Sequence, residues 1–419
     1  MKYRRWIAVL LILIALLVCM IMGTAALPGA VRVLPGRYAY YLPAPLRELR
    51  QVEHPITLPM PVFSPGVFLS PTPAPRTPTP TATPEPDIPT LTPTPSPTLL
   101  PVAHALTGLR HEHQGWNNCG PATLAMALSF WGGVETQYNI APTLKPDPED
   151  KNVSPEEMAL YVESLGLAAT WRVGGDLALL KRLLAHGYPV IVETWEVRDA
   201  RDQLGHYRLL VGYDDATEHF ITYDSLLGPD LPVGYAELDE LWRVFNRVFL
   251  IIYPAEHTAD VAQVLGPWWD AEAAFEHALQ IAQTEAQSPP PDCVAYAACA
   301  DVEAFAWFNI GSSLIGLDRY DEAAAAYDQA RVLGLPWRML WYQFGPYAAY
   351  DAVGRYADVI ALTDATLRVT VNLEESHYWR GRARLALGDT RGAQADFAVA
   401  LRYHPGWLPA QEALDGLSQ

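Results

Sequence analysis

Cys119 stands at the mouth of a helical pattern. Gly120 and Pro121 follow it, then a run of good helix formers with Leu124, Ala127 and Leu128 at helical spacing. Proline suits a first helical turn because its missing N–H would find no partner there anyway. A thiol at that position faces the unpaired amides and the positive end of the helix dipole, which favours the nucleophilic thiolate. Just upstream, Gln114 carries an amide that could donate to an oxyanion formed beside the sulfur. Acyl transfer through sulfur also needs a base, and residues 205–225, GHYRLLVGYDDATEHFITYDS, offer one. His206 is expected to open a strand that Leu209 to Tyr213 continue, Asp214, Asp215 and Thr217 to turn the chain, and Asp224 to end the return strand. In that hairpin Asp224 could orient the imidazole of His206, which in turn could take the proton of Cys119.

Each of these residues also has a plainer reading. A free cysteine is often a small buried hydrophobe. A strand histidine can be merely hydrogen-bonded, an aspartate can be a turn residue, and a loop amide has many structural uses. Zinc is a further rival, since His111, Glu112 and His113 sit close to Cys119. Alternating residues, however, rarely converge on a four-ligand site, so no metal or other cofactor is expected.

The elements that must position these groups are legible nearby. Residues 152–167, NVSPEEMALYVESLGL, give Ser154 as N-cap, Pro155 in the first turn and Glu157 three after the cap, a capping box. Met158, Tyr161, Val162 and Leu165 form one apolar face. Residues 174–187 give a second helix with a Leu177, Leu180 and Leu184 stripe, ending at Gly187 and followed by a buried strand over 189–194. Helices first and a sheet last predict an α+β domain.

The run HQGWNNCGPATLAMAL, followed by GHYRLLVGYDD and ITYD, resembles the bacteriocin-processing peptidase family, a branch of the papain-like cysteine peptidases, over roughly residues 101–253. The resemblance implies Cys119 as nucleophile, His206 as general base, Asp224 as orienter and Gln114 as oxyanion donor. Two departures matter. Ser225 follows Asp224 where many relatives have proline. No ATP-binding transporter module follows, so the double-glycine leader substrate of the transporter-fused members does not carry over.

Downstream, Trp307 and Trp341, Gly311 and Gly345, and Ala323 and Ala357 are each 34 residues apart. With Tyr327 and Ala330 in the first unit, and Gly381, Ala393, Phe397, Ala400 and Pro405 in a third, the period resembles the tetratricopeptide repeat. The middle unit is weaker, with Ala361 in place of the aromatic. A helix carrying Ala271, Phe275 and Ala278 is expected to begin the stack. The first task of such small residues is close helix packing; a groove that binds a protein partner is the functional reading, and a spacer the other.

The N-terminus decides location. Lys2, Arg4 and Arg5 precede an apolar stretch from Trp6 to about Leu27, long enough for one membrane helix, with the positive flank kept in the cytoplasm. A cleaved signal peptide is the alternative, given Thr24, Ala25 and Ala26. Residues 70–101 are proline and threonine with almost no core formers; they should stay disordered and extend as polyproline II, roughly 3 Å per residue and on the order of 90 Å in all. The net charge of −18 argues against a nucleic-acid partner, which needs a basic face. Of four cysteines, Cys293 and Cys299 could form a disulfide outside the cytoplasm, and Cys119 has no evident partner.

The chain is thus expected to be multidomain. A signal anchor (1–27), an extended stalk (28–69) and a disordered Pro/Thr linker (70–101) lead to an α+β papain-like cysteine peptidase domain (102–254) and an all-α tetratricopeptide solenoid (262–419). The expected activity is a membrane-anchored, extracytoplasmic hydrolase for peptide or amide bonds. A quiet peptide-binding scaffold and a cell-wall amidase or endopeptidase are the alternatives.

Overall fold

The computed structural model describes residues 56–62, 100–199, 202–289 and 301–417. From 103 to 253 the chain builds a sheet flanked by helices, and from 271 onward it is helical. The first part comprises β1 (Ala103–Ala105), α1 (Cys119–Phe130), α2 (Gln137–Leu144), α3 (Pro155–Ser164), β2 (Ala168–Arg172), α4 (Leu177–Ala185), β3 (Val190–Asp199), β4 (Asp202–Asp214), β5 (His219–Asp224), β6 (Gly228–Gly234), α5 (Tyr235–Arg243) and β7 (Phe249–Tyr253). All pairings are antiparallel, in the order β2-β7-β3-β4-β5-β6, with β1 added beside β4.

Alternation along the strands splits the core into two layers. Ile191, Leu209, Val211, Leu250 and Ile252 face α1, α2 and α3, whereas Val190, Val192, Leu210, Phe249 and Ile251 face α4 and α5. The helix ends are those the residue types demand. Ser154 accepts from the Glu157 amide, and Glu157 accepts from the Ser154 amide at 2.7 Å. Past α4, Gly187 takes φ 86°, the left-handed conformation that closes a helix without a Cβ clash.

One boundary differs from expectation. The strand read as ending at Thr194 runs on to Asp199, and β4 begins at Asp202, so His206 lies inside β4, opposite Thr194, rather than opening it. The added residues, among them Glu196, Arg198 and Gln203, carry no strand signature of their own. Pairing with the neighbouring strand overrides local preference.

The helical part comprises α6 (Thr258–Leu265), α7 (Ala271–Gln287), α8 (Val302–Gly316), α9 (Tyr320–Val332), α10 (Gly345–Ala352), α11 (Tyr356–Leu367), α12 (Glu374–Ala386), α13 (Thr390–Tyr403) and α14 (Leu408–Gly416). Helices α8 and α9 pair through Gly311, whose missing Cβ would come within 2.6 Å of the Tyr327 ring; Gly381 and Phe397 repeat that fit between α12 and α13. The middle unit is broken. Trp341 falls in a 3-10 turn (Trp337–Trp341), and the helix restarts at Gly345. Pro346 explains the restart, because it has no N–H for a preceding turn and fits only the start of a helix.

The two parts share one core. Trp195, Leu241, Val244 and Phe245 of the sheet domain join Phe305, Phe308, Ile310, Leu340 and Tyr347 of the helices in a single apolar cluster. Polar contacts frame it: the Asn309 amide donates to the Arg243 carbonyl at 2.7 Å, and Arg338 donates to the Gln203 carbonyl at 2.9 Å. Within the expected stalk, residues 56–62 lie against the helical part, with Leu58 in the same cluster. Among the described residues, no helix is long and apolar enough to cross a membrane. The expected anchor (1–27), most of the Pro/Thr linker, and Cys293 with Cys299 lie outside the described residues.

Candidate active site

Cys119 is the first residue of α1, after Asn118 as N-cap and Asn117 in the left-handed conformation, φ 52°. That single reversed residue ends the loop from 111 and turns the chain into the helix. The loop is held by Gln137, which is buried at the start of α2. Its amide donates to Glu112 Oε1 and the His113 carbonyl, both at 2.8 Å, and its Oε1 accepts from the Gly115 amide and from Asn118 at 3.2 Å. A buried amide satisfied on both ends fixes a loop that has no regular structure of its own.

β4 carries the second group. His206 stands close enough to the Cys119 sulfur for each to shift the ionisation of the other. His206 Nε2 lies 3.0 Å from Asp224 Oδ1, both side chains being 1 % exposed. Asp224 sits on β5 opposite Arg208, two residues along from His206, so the hairpin register alone brings the carboxylate diagonally beneath the imidazole. Asp224 Oδ1 also accepts from the amides of Leu226 and Leu227 at 2.7 and 3.0 Å, and its Oδ2 accepts from Arg208 Nε at 3.1 Å. Arg208, also buried, donates to Thr194 and Glu196 as well.

The electrostatics follow from burial among these partners. Burial by itself pushes the Cys119 thiol up. The hydrogen bond and charge of His206, with the backbone of Tyr207 and Gly120, outweigh it and hold the thiol below its ordinary value. Burial lowers His206, but Asp224 and Cys119 together raise it to about 10. Burial raises Asp224, and His206, Arg208 and the Leu227 amide more than reverse that, leaving its carboxyl below the usual carboxylate range. The arrangement favours thiolate, imidazolium and carboxylate in a row.

Gln114 is fastened to the same corner from the other side. Its backbone amide donates to the Ser225 carbonyl at 2.8 Å, and its side-chain oxygen accepts from Ser225 Oγ at 2.8 Å. This turns the NH2 end of the amide away from Ser225. Ser225, directly after Asp224, is therefore the residue that orients Gln114. Gln114 does not line the small cavity at Cys119, whose walls include Asn117, Lys151, Glu193, Tyr207 and Tyr342. That cavity measures about 10 Å³, room for roughly one water.

Three neighbours were not singled out from the sequence. Arg208 reads as a solvated strand residue until the hairpin places it under Asp224. Glu193 lies in a run of apolar residues, 5 % exposed, where burial and the adjacent thiolate push its carboxyl well above the ordinary value. Tyr342 reaches the cavity from the broken repeat. Only the 34-residue period, with its irregular middle unit, carried any signal of it.

Residues 111–113 do not gather around the sulfur as a metal site would require. His111 Nε2 lies 2.9 Å from the Asp224 carbonyl oxygen, and Glu112 Oε1 is taken by Gln137. Among the described residues one trio has metal-ligand spacing, Glu157, Glu374 and His404, with ligand atoms within 4.8 Å of one another. It sits between the two parts of the chain. Glu157 is engaged as the cap of α3, and His404 Nδ1 pairs with Glu374 at 2.7 Å.

No curated protein matches the chain. Among solved structures, the first TPR of Spaghetti (RPAP3) bound to an HSP90 peptide is similar at 22 % identity, covering 28 % of this chain and 90 % of that one, with a TM-score of 0.25. Residues 106–246, the stretch that holds Cys119, His206 and Asp224 on a cysteine-peptidase-like fold, match the model of the Peptidase C39-like family.

Proposed function

We propose that this chain is a cysteine peptidase-like hydrolase acting on peptide or amide bonds. Cys119 attacks the carbonyl carbon as thiolate, His206 holds the proton and delivers it to the leaving amine, and Asp224 fixes the imidazole through Nε2 while its charge stabilises the imidazolium. Water then hydrolyses the thioester with His206 as base. Gln114, its amide oxygen tied to Ser225, is the side-chain oxyanion donor of this reading. What supports it is the buried His206–Asp224 pair at 3.0 Å beside Cys119, whose thiol His206 holds below its ordinary value.

The same reading takes residues 1–27 as a membrane anchor with the folded part outside the cytoplasm, and the helix pairs as a tetratricopeptide module that binds a protein partner. Its face nearest the sheet domain is occupied by that domain. A partner would therefore use the open cleft of about 450 Å³ beside Tyr356, Tyr378, Arg382 and Phe397. A second reading, a catalytically quiet scaffold, is favoured by one observation: the cavity beside the sulfur is only about 10 Å³.

Iodoacetamide labelling of Cys119 from about pH 4 to 9 separates the two. The hydrolase reading expects a rate that is already level below neutral pH in the wild type and that climbs only in alkali in His206→Ala. A wild-type rate that rises like an ordinary thiol, unchanged by His206→Ala, would leave the scaffold.

A further inference from the structure

The second helices of two successive repeats, α9 and α11, hold a cleft on the side away from the sheet domain's contacts with α8 and α12, and residues 56–62, ITLPMPV, run across it. Leu58 enters the apolar cluster that includes Ala323, Ala330, Val359 and Leu362, and is 6 % exposed. Arg331 donates from Nε and Nη2 to the Pro59 carbonyl at 3.0 and 2.6 Å. Its Nη1 goes to Asp358 Oδ1 at 2.8 Å, and that same carboxylate oxygen accepts the Val62 amide at 2.9 Å.

Arg331 and Asp358 are both buried, and each is braced from behind. Arg355 pairs with Asp358 at 2.8 Å and with Asp328 at 2.6 Å, while Tyr350 lies under both guanidinium groups and donates to Asp328. A buried arginine and a buried aspartate so fixed present one donor fork and one acceptor to a passing backbone, beside a pocket for one apolar side chain. The segment matches each part. Pro59 and Pro61 have no N–H to strand in the cleft, and proline holds the backbone extended before it binds. Met60 and Val62 point their side chains to solvent, 58 % and 61 % exposed.

We propose that the cleft between α9 and α11 is a binding site for extended peptides of the pattern Leu-Pro-X-Pro, and that residues 56–62 occupy it in cis. This inference is independent of the hydrolase reading. Residue 62 is held on the repeats and residue 100 leads into β1, so the segment is covalently part of the body it binds. A tether of this kind gives the segment an effective concentration on the order of millimolar, so a peptide in trans must exceed that to displace it.

The test uses the full chain in detergent micelles and a fluorescent synthetic peptide of residues 54–63. Leu58→Asp should vacate the cleft without touching the repeats. The variant should bind the peptide at least about tenfold more tightly than the wild type does, and should not bind a peptide carrying the same Leu58→Asp change. Equal affinity of the wild type and the variant for the unmodified peptide, no binding by either, or binding of both peptides alike would overturn the proposal. Hydrogen exchange on the unmodified chain gives a second reading that no folding defect can confuse. The Val62 amide should exchange at least tenfold more slowly than a free chain, and exchange at the free-chain rate would also overturn it.

Discussion

The ring of Tyr342 lies against Gly205, at 3.1 Å from where a Cβ would stand, one residue before His206, whose imidazole pairs with Asp224. The broken second repeat thus supplies a wall of the cavity at the sulfur. Its ring also packs edge-on against Trp195 and Phe245. Tyr342→Ala should open that wall at a cost of about 1–3 kcal/mol for the two lost aromatic pairs. Iodoacetamide should then reach Cys119 about tenfold faster, with the pH profile unchanged. A profile that shifts along the pH axis would mean that Tyr342 acts on the ion pair and not on access.

The ion pair leaves a signature in stability against pH. His206 is raised to about 10 in the folded chain from an ordinary 6.5, so it adds stability that is fully present below about 6.5 and is lost as pH rises toward 10, by up to about 1.4 kcal/mol per pH unit. The Cys119 thiol, held below its ordinary 9.0, offsets part of that decline until the unfolded thiol ionises as well. Urea midpoints measured from pH 6 to 10 should decline, most steeply above 9. In His206→Ala the decline should vanish.

Asp224 carries the opposite sign. Its depressed carboxyl adds stability that is present above the ordinary carboxylate range and lost as pH falls below it. Asp224→Asn would leave Arg208 and His206 buried without their shared anion, a loss of about 3–5 kcal/mol. Its denaturant midpoint should fall accordingly. A midpoint within 1 kcal/mol of wild type would show that Glu196 alone satisfies Arg208.

Burial and the sulfur beside it raise the Glu193 carboxyl well above its ordinary value, and Glu193→Gln is its uncharged isostere. Stability and the labelling profile should both match wild type. If Glu193→Gln instead shifts the thiol profile, the carboxyl is ionised and acts on Cys119 by charge.

Because Trp195 and Phe245 pack into the same cluster as Phe305 and Phe308, the sheet domain and the repeats should melt together. Calorimetry on the whole chain should show one transition for both. Trp195→Ala should lower it by about 3–5 kcal/mol without splitting it. Two separated transitions in the wild type would contradict a shared core.

The chemistry-bearing residues were legible because their signals are local. A cysteine followed by Gly-Pro and a helical run, the Ser154 capping box, and two β-prone runs joined by a polar turn each depend on neighbours within a few positions. From them follow the place of Cys119 at a helix start and the diagonal approach of His206 and Asp224 across a hairpin. The 34-residue period made the helix pairs legible for the same reason, as small residues at fixed offsets meet aromatic rings one helix later.

What needed the tertiary structure is what depends on residues far apart in the chain. Arg208 under Asp224, Ser225 against Gln114, Gln137 inside the loop at 112–118, Tyr342 over Gly205 and Leu58 between α9 and α11 are each contacts across 16 positions or more. Nothing in the local pattern of either partner marks them. A strand arginine, a loop serine and a stalk leucine become buried and paired only once two surfaces close on each other and water is lost between them. The sequence determined which groups could do chemistry, and the packing of the two parts decided which of them are paired and which are covered.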